Sequence, residues 1–167
     1  ILTLLVIITV MFTSLIMGPT YAASNPYVGG NSNCTYTAWR LVKEHTGIEL
    51  PGFTGNAAGW YQGAINYGYE VGGTPQPDSV VVYDRDVNGY GHVAYVTAVN
   101  GNQIYVQEGG YLGGYHEGWT QAYGKRAETG TILGYIYLKN NVYPSQPTLN
   151  VSAGDSTKNT TLSWNAT

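Results

Sequence analysis

The segment Gly91–Glu108, GHVAYVTAVNGNQIYVQE, constrains the fold more than any other part of the chain. Two runs rich in β-branched and aromatic residues flank Asn-Gly-Asn, so the segment reads as a β-hairpin and commits the chain to an antiparallel sheet. Two registers compete. A two-residue Asn100-Gly101 turn sets Val93 opposite Glu108 and mixes Tyr95 and Thr97 into the apolar face. A three-residue loop, Val99-Asn100-Gly101, sets His92 directly opposite Glu108, Ala94 opposite Val106 and Val96 opposite Ile104. Matching apolar faces normally fixes register, so the second is expected, with a His–carboxylate pair at the open end of the hairpin.

The chain has a single cysteine among 167 residues, so no intrachain disulfide is possible. Cys34 opens a stretch in which Ala38, Leu41 and Val42 recur at helical spacing and Gly47 provides a stop, which predicts a helix over about 34–46. Its neighbours Asn33, Thr35 and Tyr36 are polar. A thiol at a helix N-terminus feels the positive end of the macrodipole, which favours the thiolate. From these residues alone Cys34 fits either a nucleophile or an inert buried thiol.

A nucleophilic thiol needs a base, and there are three histidines. His45 falls in the last turn of the predicted helix and is expected to interact with the helix dipole and its loose carbonyls. His116, in the Gly-rich YLGGYHEGW, is expected to be solvated or substrate-facing. His92 opens the first strand of the hairpin, where Glu108 can hold one ring nitrogen and leave the other for Cys34.

Residues 1–17, ILTLLVIITVMFTSLIM, carry no charge and are followed by Gly18-Pro19 and small residues at Thr20 and Ala22. This is the pattern of a secretory signal over 1–22, cleaved after Ala22; the alternative is a retained membrane anchor. Lacking an initiator Met and a basic stretch before the apolar run, the chain is expected to be a piece of a longer one. The formal charge of −3 argues against a nucleic-acid or anionic-membrane partner recognised by bulk charge. Membrane contact is expected only through an uncleaved signal segment, and a monomer is expected.

Four segments between Asn25 and Leu138 resemble the CHAP family, the cysteine- and histidine-dependent amidohydrolases/peptidases of bacterial cell-wall turnover. They are NCTYTAW around Cys34, GNAAGWYQGAINYGYEV at Gly55–Val71, PQPDSVVVYD leading into GHVAYV, and YVQEGGY at Tyr105–Tyr111. The resemblance implies an α+β, papain-like cysteine hydrolase, with N-terminal helices packed on an antiparallel sheet. It implies Cys34 as nucleophile, His92 as base and Glu108 as orienting residue. Many members carry an Asn where this chain has Gly110, so an assisting amide is expected to be missing. The implied activity is hydrolysis of amide bonds in peptidoglycan, as an amidase or an endopeptidase, outside the cell and at the wall. The Cys34 N–H, with the Asn33 side chain, is expected to hold the developing oxyanion. Tyr36 and Tyr111 are expected near the substrate groove. No metal or organic cofactor is needed. A non-catalytic wall-binding or adhesion module that keeps the fold is the alternative from another class.

DRDVNG at Asp84–Gly89 matches the first half of an EF-hand loop, but the twelfth position is Tyr95, so a polar loop is expected rather than a calcium site. Beyond the catalytic domain, expected over 23–138, residues 139–147 read as a linker with Pro144 and Pro147. Residues 148–167 alternate like the opening strands of a β-sandwich, resembling a fibronectin type III module.

Overall fold

Helix α1 forms over Cys34–Thr46, the span the sequence predicts, because both ends carry stop signals. Asn33 is extended (φ −121°, ψ 128°) and caps the N-terminus. Gly47 ends the helix in the left-handed region, its N–H bonded to Lys43 O. The structure is a computed structural model and describes residues 24–85 and 87–138. The expected signal segment (1–22), linker (139–147) and β-sandwich start (148–167) lie outside the described residues.

After α1 the chain runs through a short helix α2 (Trp60–Asn66) into strands β1 (Val71–Gly72), β2 (Ser79–Tyr83), β3 (His92–Asn100), β4 (Gln103–Tyr111), β5 (Gly114–Gln121), β6 (Lys125–Arg126) and β7 (Gly130–Tyr137). The strands pair antiparallel in the order β1-β7-β2-β3-β4-β5, with β6 pairing β7. This is a mixed α+β architecture in which the helices precede an antiparallel sheet.

Strand β2 shows why the sheet has two cores. Its run SVVVY is buried at every position. Val80 and Val82 join the cluster containing Ala38, Trp39, Leu41 and Val42 of α1, Trp60 of α2, and Val93 and Tyr95 of β3. Val81 and Tyr83 join the opposite cluster with Ala94, Val96, Ile104, Val106 and Tyr135. A strand covered on both faces has no need of polar alternation, so its sequence is continuously apolar. Trp39 adds a fixed point by donating from Nε1 to Leu50 O at 2.8 Å.

The hairpin forms, but its register differs from the expected one. Val99 pairs with Ile104 and Asn100 with Gln103, so the loop is the two residues Gly101-Asn102. The pairing then shifts between Val96 and Ala98, after which Val96 lies opposite Val106 and Tyr95 opposite Gln107. The expected bulge exists, but it sits inside β3 at Thr97 rather than in the loop. Beyond it the register is displaced by two residues from the expected one, so His92 is not directly opposite Glu108. Side chains alternate with period two, so an even displacement keeps both on one face. Ala94, Val96, Ile104 and Val106 share that face, as the apolar pattern required.

The start of helix α1 lies close against β4 at Gly109. A Cβ there would fall 2.1 Å from Thr37 Oγ1, 2.5 Å from Asn31 O and 2.8 Å from Asn33 O. Two of these three atoms are backbone, so side-chain rotation cannot relieve the contact. Gly109→Ala should cost about 1–3 kcal/mol of stability as an overpacking change. Gly73→Ala, whose Cβ meets nothing within 4 Å, should stay within about 0.5 kcal/mol of the parent. Urea unfolding of the two variants against the parent measures this, and equal midpoints would show that the helix does not depend on the close approach.

Candidate active site

Asn33 builds the local frame of the thiol. Its Oδ1 accepts from Thr35 N (2.9 Å), Tyr36 N (3.2 Å) and Thr35 Oγ1 (2.6 Å). The cap thus occupies the second and third N–H groups of the helix and does not use that of Cys34. Asn33 Oδ1 is committed to capping, so only its Nδ2 could serve an oxyanion. Cys34 is partly buried at the first helical position.

The thiol hydrogen-bonds the His92 ring. His92 Nε2 lies 2.7 Å from Glu108 Oε2, which leaves Nδ1 as the nitrogen facing sulfur. His92 is 4% exposed and Glu108 fully buried. Of the three histidines, His92 is the one on the thiol. His45 stacks on Tyr95, with ring centroids 4.9 Å apart, rather than serving the helix carbonyls alone.

His116, expected to be solvated or substrate-facing, is partly exposed and does not line the cleft, but it also has a buried partner. Strand β5 sets it directly opposite Glu108, and its Nδ1 lies 2.9 Å from Glu108 Oε1. Arg126, which the sequence reading did not single out, donates from Nη1 to Oε2 (2.9 Å) and from Nη2 to Oε1 (2.8 Å) of the same carboxylate. Counting across the β4–β5 hairpin from Tyr111–Gly114 would have set Glu117 opposite Glu108, and only the register shift between Glu108 and Tyr111 brings His116 there instead. Nothing local marks Arg126, because it reaches Glu108 only through the return of the chain at β6.

Charge states follow from these contacts. Burial alone would raise the Glu108 carboxyl, but hydrogen bonds from His92 and Arg126 outweigh it and hold the group down at about 2. Burial would lower His92, yet its bonds to Cys34 and Glu108 raise it to about 9. Burial would likewise raise the Cys34 thiol, and the His92 hydrogen bond and charge bring it below its ordinary value instead. The contacts thus favour the charged forms of all three groups, the thiolate of Cys34, the imidazolium of His92 and the carboxylate of Glu108, over their neutral forms.

Cys34 and His92 open onto a cleft of ≈ 520 Å³ whose lining includes Tyr27, Asn33, Asn56, Asn88, Tyr90 and Gly110. Among the described residues, no Asp, Glu, Lys or Arg lines it. The expected aromatics are elsewhere. Tyr36 is not among the lining residues, and neither is Tyr111, whose ring packs 4.0 Å from the Arg126 guanidinium carbon. Tyr27 and Tyr90 take the aromatic places. Tyr27 is held as a wall by Phe53 N–H donating to its hydroxyl (2.9 Å) and by Trp60 at 5.1 Å.

The Asp84–Gly89 loop serves the backbone. Asn88 Oδ1 accepts from Tyr90 N and Gly91 N, both at 2.8 Å, and Asp84 Oδ1 accepts from Thr131 N at 3.2 Å. These bonds fix the entry of the chain into His92. At Gly110 φ is +71°, and an added Cβ would sit 3.0 Å from Ser32 O and 3.4 Å from Cys34 N. A residue there would crowd the very N–H the cap leaves unused.

A model of the CHAP domain matches residues 23–110, more than half of the chain. The chain belongs to the CHAP domain family. The matched stretch contains Cys34, His92 and Glu108 and stops before His116 and Arg126. This CHAP chain is similar to the Staphylococcal secretory antigen SsaA of Staphylococcus aureus (strain NCTC 8325 / PS 47). The two are 36% identical over 81 residues, 48% of this chain and 29% of that protein. Staphylococcal secretory antigen ssaA2 of the same strain is 36% identical over 78 residues, 47% of this chain and 26% of its own length. The aligned part thus spans under a third of either relative. Among solved structures, the N-acetylmuramoyl-L-alanine amidase from Staphylococcus aureus superposes with a TM-score of 0.50 at 26% sequence identity. The superposition covers 59% of this chain and 30% of that one.

The charge states predict how stability depends on pH. Glu108 is lowered on folding, so its contribution is present above the unfolded value near 4.5 and is lost as pH falls toward about 2. His92 is raised on folding, so its contribution is complete below the unfolded value near 6.5 and is lost as pH rises through about 9. Urea midpoints should therefore form a plateau between these limits. Glu108→Gln should be less stable than the parent on the plateau, with the gap closing as pH falls toward about 2 and narrowing above about 9, where the Arg126 pair remains. A gap that stays constant with pH would show that Glu108 and His92 are not coupled.

Proposed function

We propose that this chain is a secreted cysteine hydrolase that cleaves amide bonds of peptidoglycan. One observation carries the reading: a helix-capped thiol, an imidazole and a buried carboxylate in hydrogen-bonded series, with the thiol end open to a cleft. Membership of the CHAP family and the likeness to an amidase that acts on N-acetylmuramoyl-L-alanine support the substrate class. Apart from Cys34 and His92 themselves, the described lining of the cleft carries no titratable acid or base other than tyrosine, which suits neutral backbone amides. The apolar segment 1–17 and the relatives named secretory antigens support export. A papain-like domain over 23–138, followed by a linker and the start of a fibronectin type III-like module over 148–167, completes the reading.

In the proposed reaction the Cys34 thiolate attacks the amide carbonyl carbon, and the C=O π electrons move onto oxygen. The Cys34 N–H, which the Asn33 cap leaves unused, donates to that oxyanion. Collapse of the intermediate breaks the C–N bond while His92 gives its Nδ1 proton to the leaving amine. Water then attacks the thioester. His92 takes its proton, the carboxyl product departs, and the thiolate–imidazolium pair is restored. Glu108 does not exchange protons; it holds Nε2–H and stabilises the imidazolium.

Cys34→Ser retains the shape of the site but replaces the thiolate with a hydroxyl. It should lower clearing of bacterial walls in a zymogram by about three orders of magnitude or more while the fold is retained. Wall clearing at parental rates would make Cys34 structural, and wall binding without clearing by the parent chain would favour the non-catalytic module. Mass spectrometry of digested peptidoglycan separates an amidase, which frees the stem peptide from the sugar, from an endopeptidase, which cuts within the stem or cross-bridge.

Glu108→Gln keeps a hydrogen-bonding group but removes the charge. Activity should fall by less than in Cys34→Ser, because nucleophile and base both remain. Without the carboxylate His92 should lose its proton at lower pH, so the alkaline limb of the rate profile should move toward neutrality. An unmoved limb would show that another group orients His92.

A further inference from the structure

Glu108 is fully buried, and groups face it from every neighbouring strand: His92 on β3, His116 on β5 and Arg126 on β6, with the phenols of Tyr83 on β2 and Tyr111 on β4 packed around Arg126. Two of these, His116 and Arg126, belong to strands beyond the stretch matched by the CHAP model. We propose that Arg126 is a positioning residue for the Cys34–His92 pair, its guanidinium fixing both oxygens of Glu108 so that Oε2 is presented to His92 Nε2 as a carboxylate. Its link to hydrolysis rests on the reading given under Proposed function.

The geometry is specific. Oε2 is shared by His92 Nε2 (2.7 Å) and Arg126 Nη1 (2.9 Å), and Oε1 by His116 Nδ1 (2.9 Å) and Arg126 Nη2 (2.8 Å). The fork locks the plane of the carboxylate, so any rotation that turned Oε2 from His92 would break two charge-assisted bonds. Arg126 is itself held, with its side chain 8% exposed, the Tyr111 ring 4.0 Å from its central carbon and its backbone paired with Gly130. His116, by contrast, has a side chain 39% exposed, and water can replace its bond. Arg126 keeps its charge throughout the working range, its bonds to Glu108 holding the guanidinium protonated. It does not line the cleft, so it reaches the thiol only through Glu108 and His92.

The sole cysteine allows a test that needs no cell wall. Iodoacetamide alkylates the thiolate, forming the S–C bond and releasing iodide, and intact-mass spectrometry follows the rate against pH. Arg126→Met should move the acid limb of Cys34 alkylation to higher pH by about one unit. It should also lower kcat on peptidoglycan about tenfold or more with KM unchanged. Arg126→Lys retains the charge but cannot hold both oxygens. Its acid limb should stay near that of the parent while kcat still falls. In a Glu108→Gln background, Arg126→Met should change neither quantity further. This double variant leaves no buried charge unpaired, so together with Arg126→Lys it keeps the test open if Arg126→Met fails to fold. An unmoved limb in folded Arg126→Met, a shift of equal size in the Glu108→Gln background, or parental kcat in Arg126→Lys would each overturn the proposal. A parent that shows the alkylation limb but cleaves no wall would instead overturn the hydrolase reading and leave the role of Arg126 toward the thiol standing.

Discussion

Glu108 is a carboxylate removed entirely from water, and a charge in that position is tolerable only when its partners replace the solvent it has lost. Here Arg126 supplies two hydrogen bonds and His92 and His116 one each. These partners come from β3, β5 and β6, so satisfying one side chain requires β4 to be bracketed by both neighbours and the chain to return across the sheet at β6. The carboxylate thereby ties β6, which pairs with β7 and not with β4, to the strand that carries it. Breaking one partner away would leave the rest of the cluster with an unpaired buried charge, which is why such a group specifies an arrangement more than it adds net stability.

The thiol is placed by a different set of forces. Helix α1 buries Ala38, Leu41 and Val42 against Val80, Val82, Val93 and Tyr95, and this apolar contact decides where its N-terminus lies. The absence of any side chain at Gly109 lets the helix start sit against β4, and the Asn33 cap then orients the first turn. Cys34 and His92 meet because an apolar interface and a polar cluster converge at one end of the sheet. The first brings the sulfur and the second turns the ring. The cleft above them owes its walls to Tyr27, anchored through Phe53 and Trp60, and to the Asn88 turn that leads the chain into His92.

The β3–β4 and β4–β5 hairpins show how little of the detailed register local pattern can specify. In β3–β4 the apolar alternation gave the correct face for His92 and Glu108, because face depends only on parity. It misplaced the bulge, since a bulge in the loop and one at Thr97 put the same apolar residues on one face while pairing them differently. In β4–β5 the pairing shifts again between Glu108 and Tyr111, after which Tyr111 pairs with Gly114. His116 read as a solvated loop residue because the Gly-rich stretch around it hides an edge strand whose exposed positions alternate. Tyr111 looked like a substrate contact from its position beside Glu108, yet its ring lies on Arg126, outside the cleft.

The bounds of α1, the presence of the β3–β4 hairpin, the common face of His92 and Glu108 and the choice of His92 over His45 were all determined by the sequence. Each depends on short-range periodicity, capping chemistry and the alternation of side chains along a strand, which act over a few residues. The meeting of Arg126 and His116 at Glu108, the exclusion of Tyr36 and Tyr111 from the cleft and the shift at Thr97 were decided only by tertiary structure. They depend on which strands return beside which, and on where a buried charge can find donors. A lone Arg in a turn-like GKRAETG carries no sign of its partner until packing has removed the water that would otherwise have satisfied it.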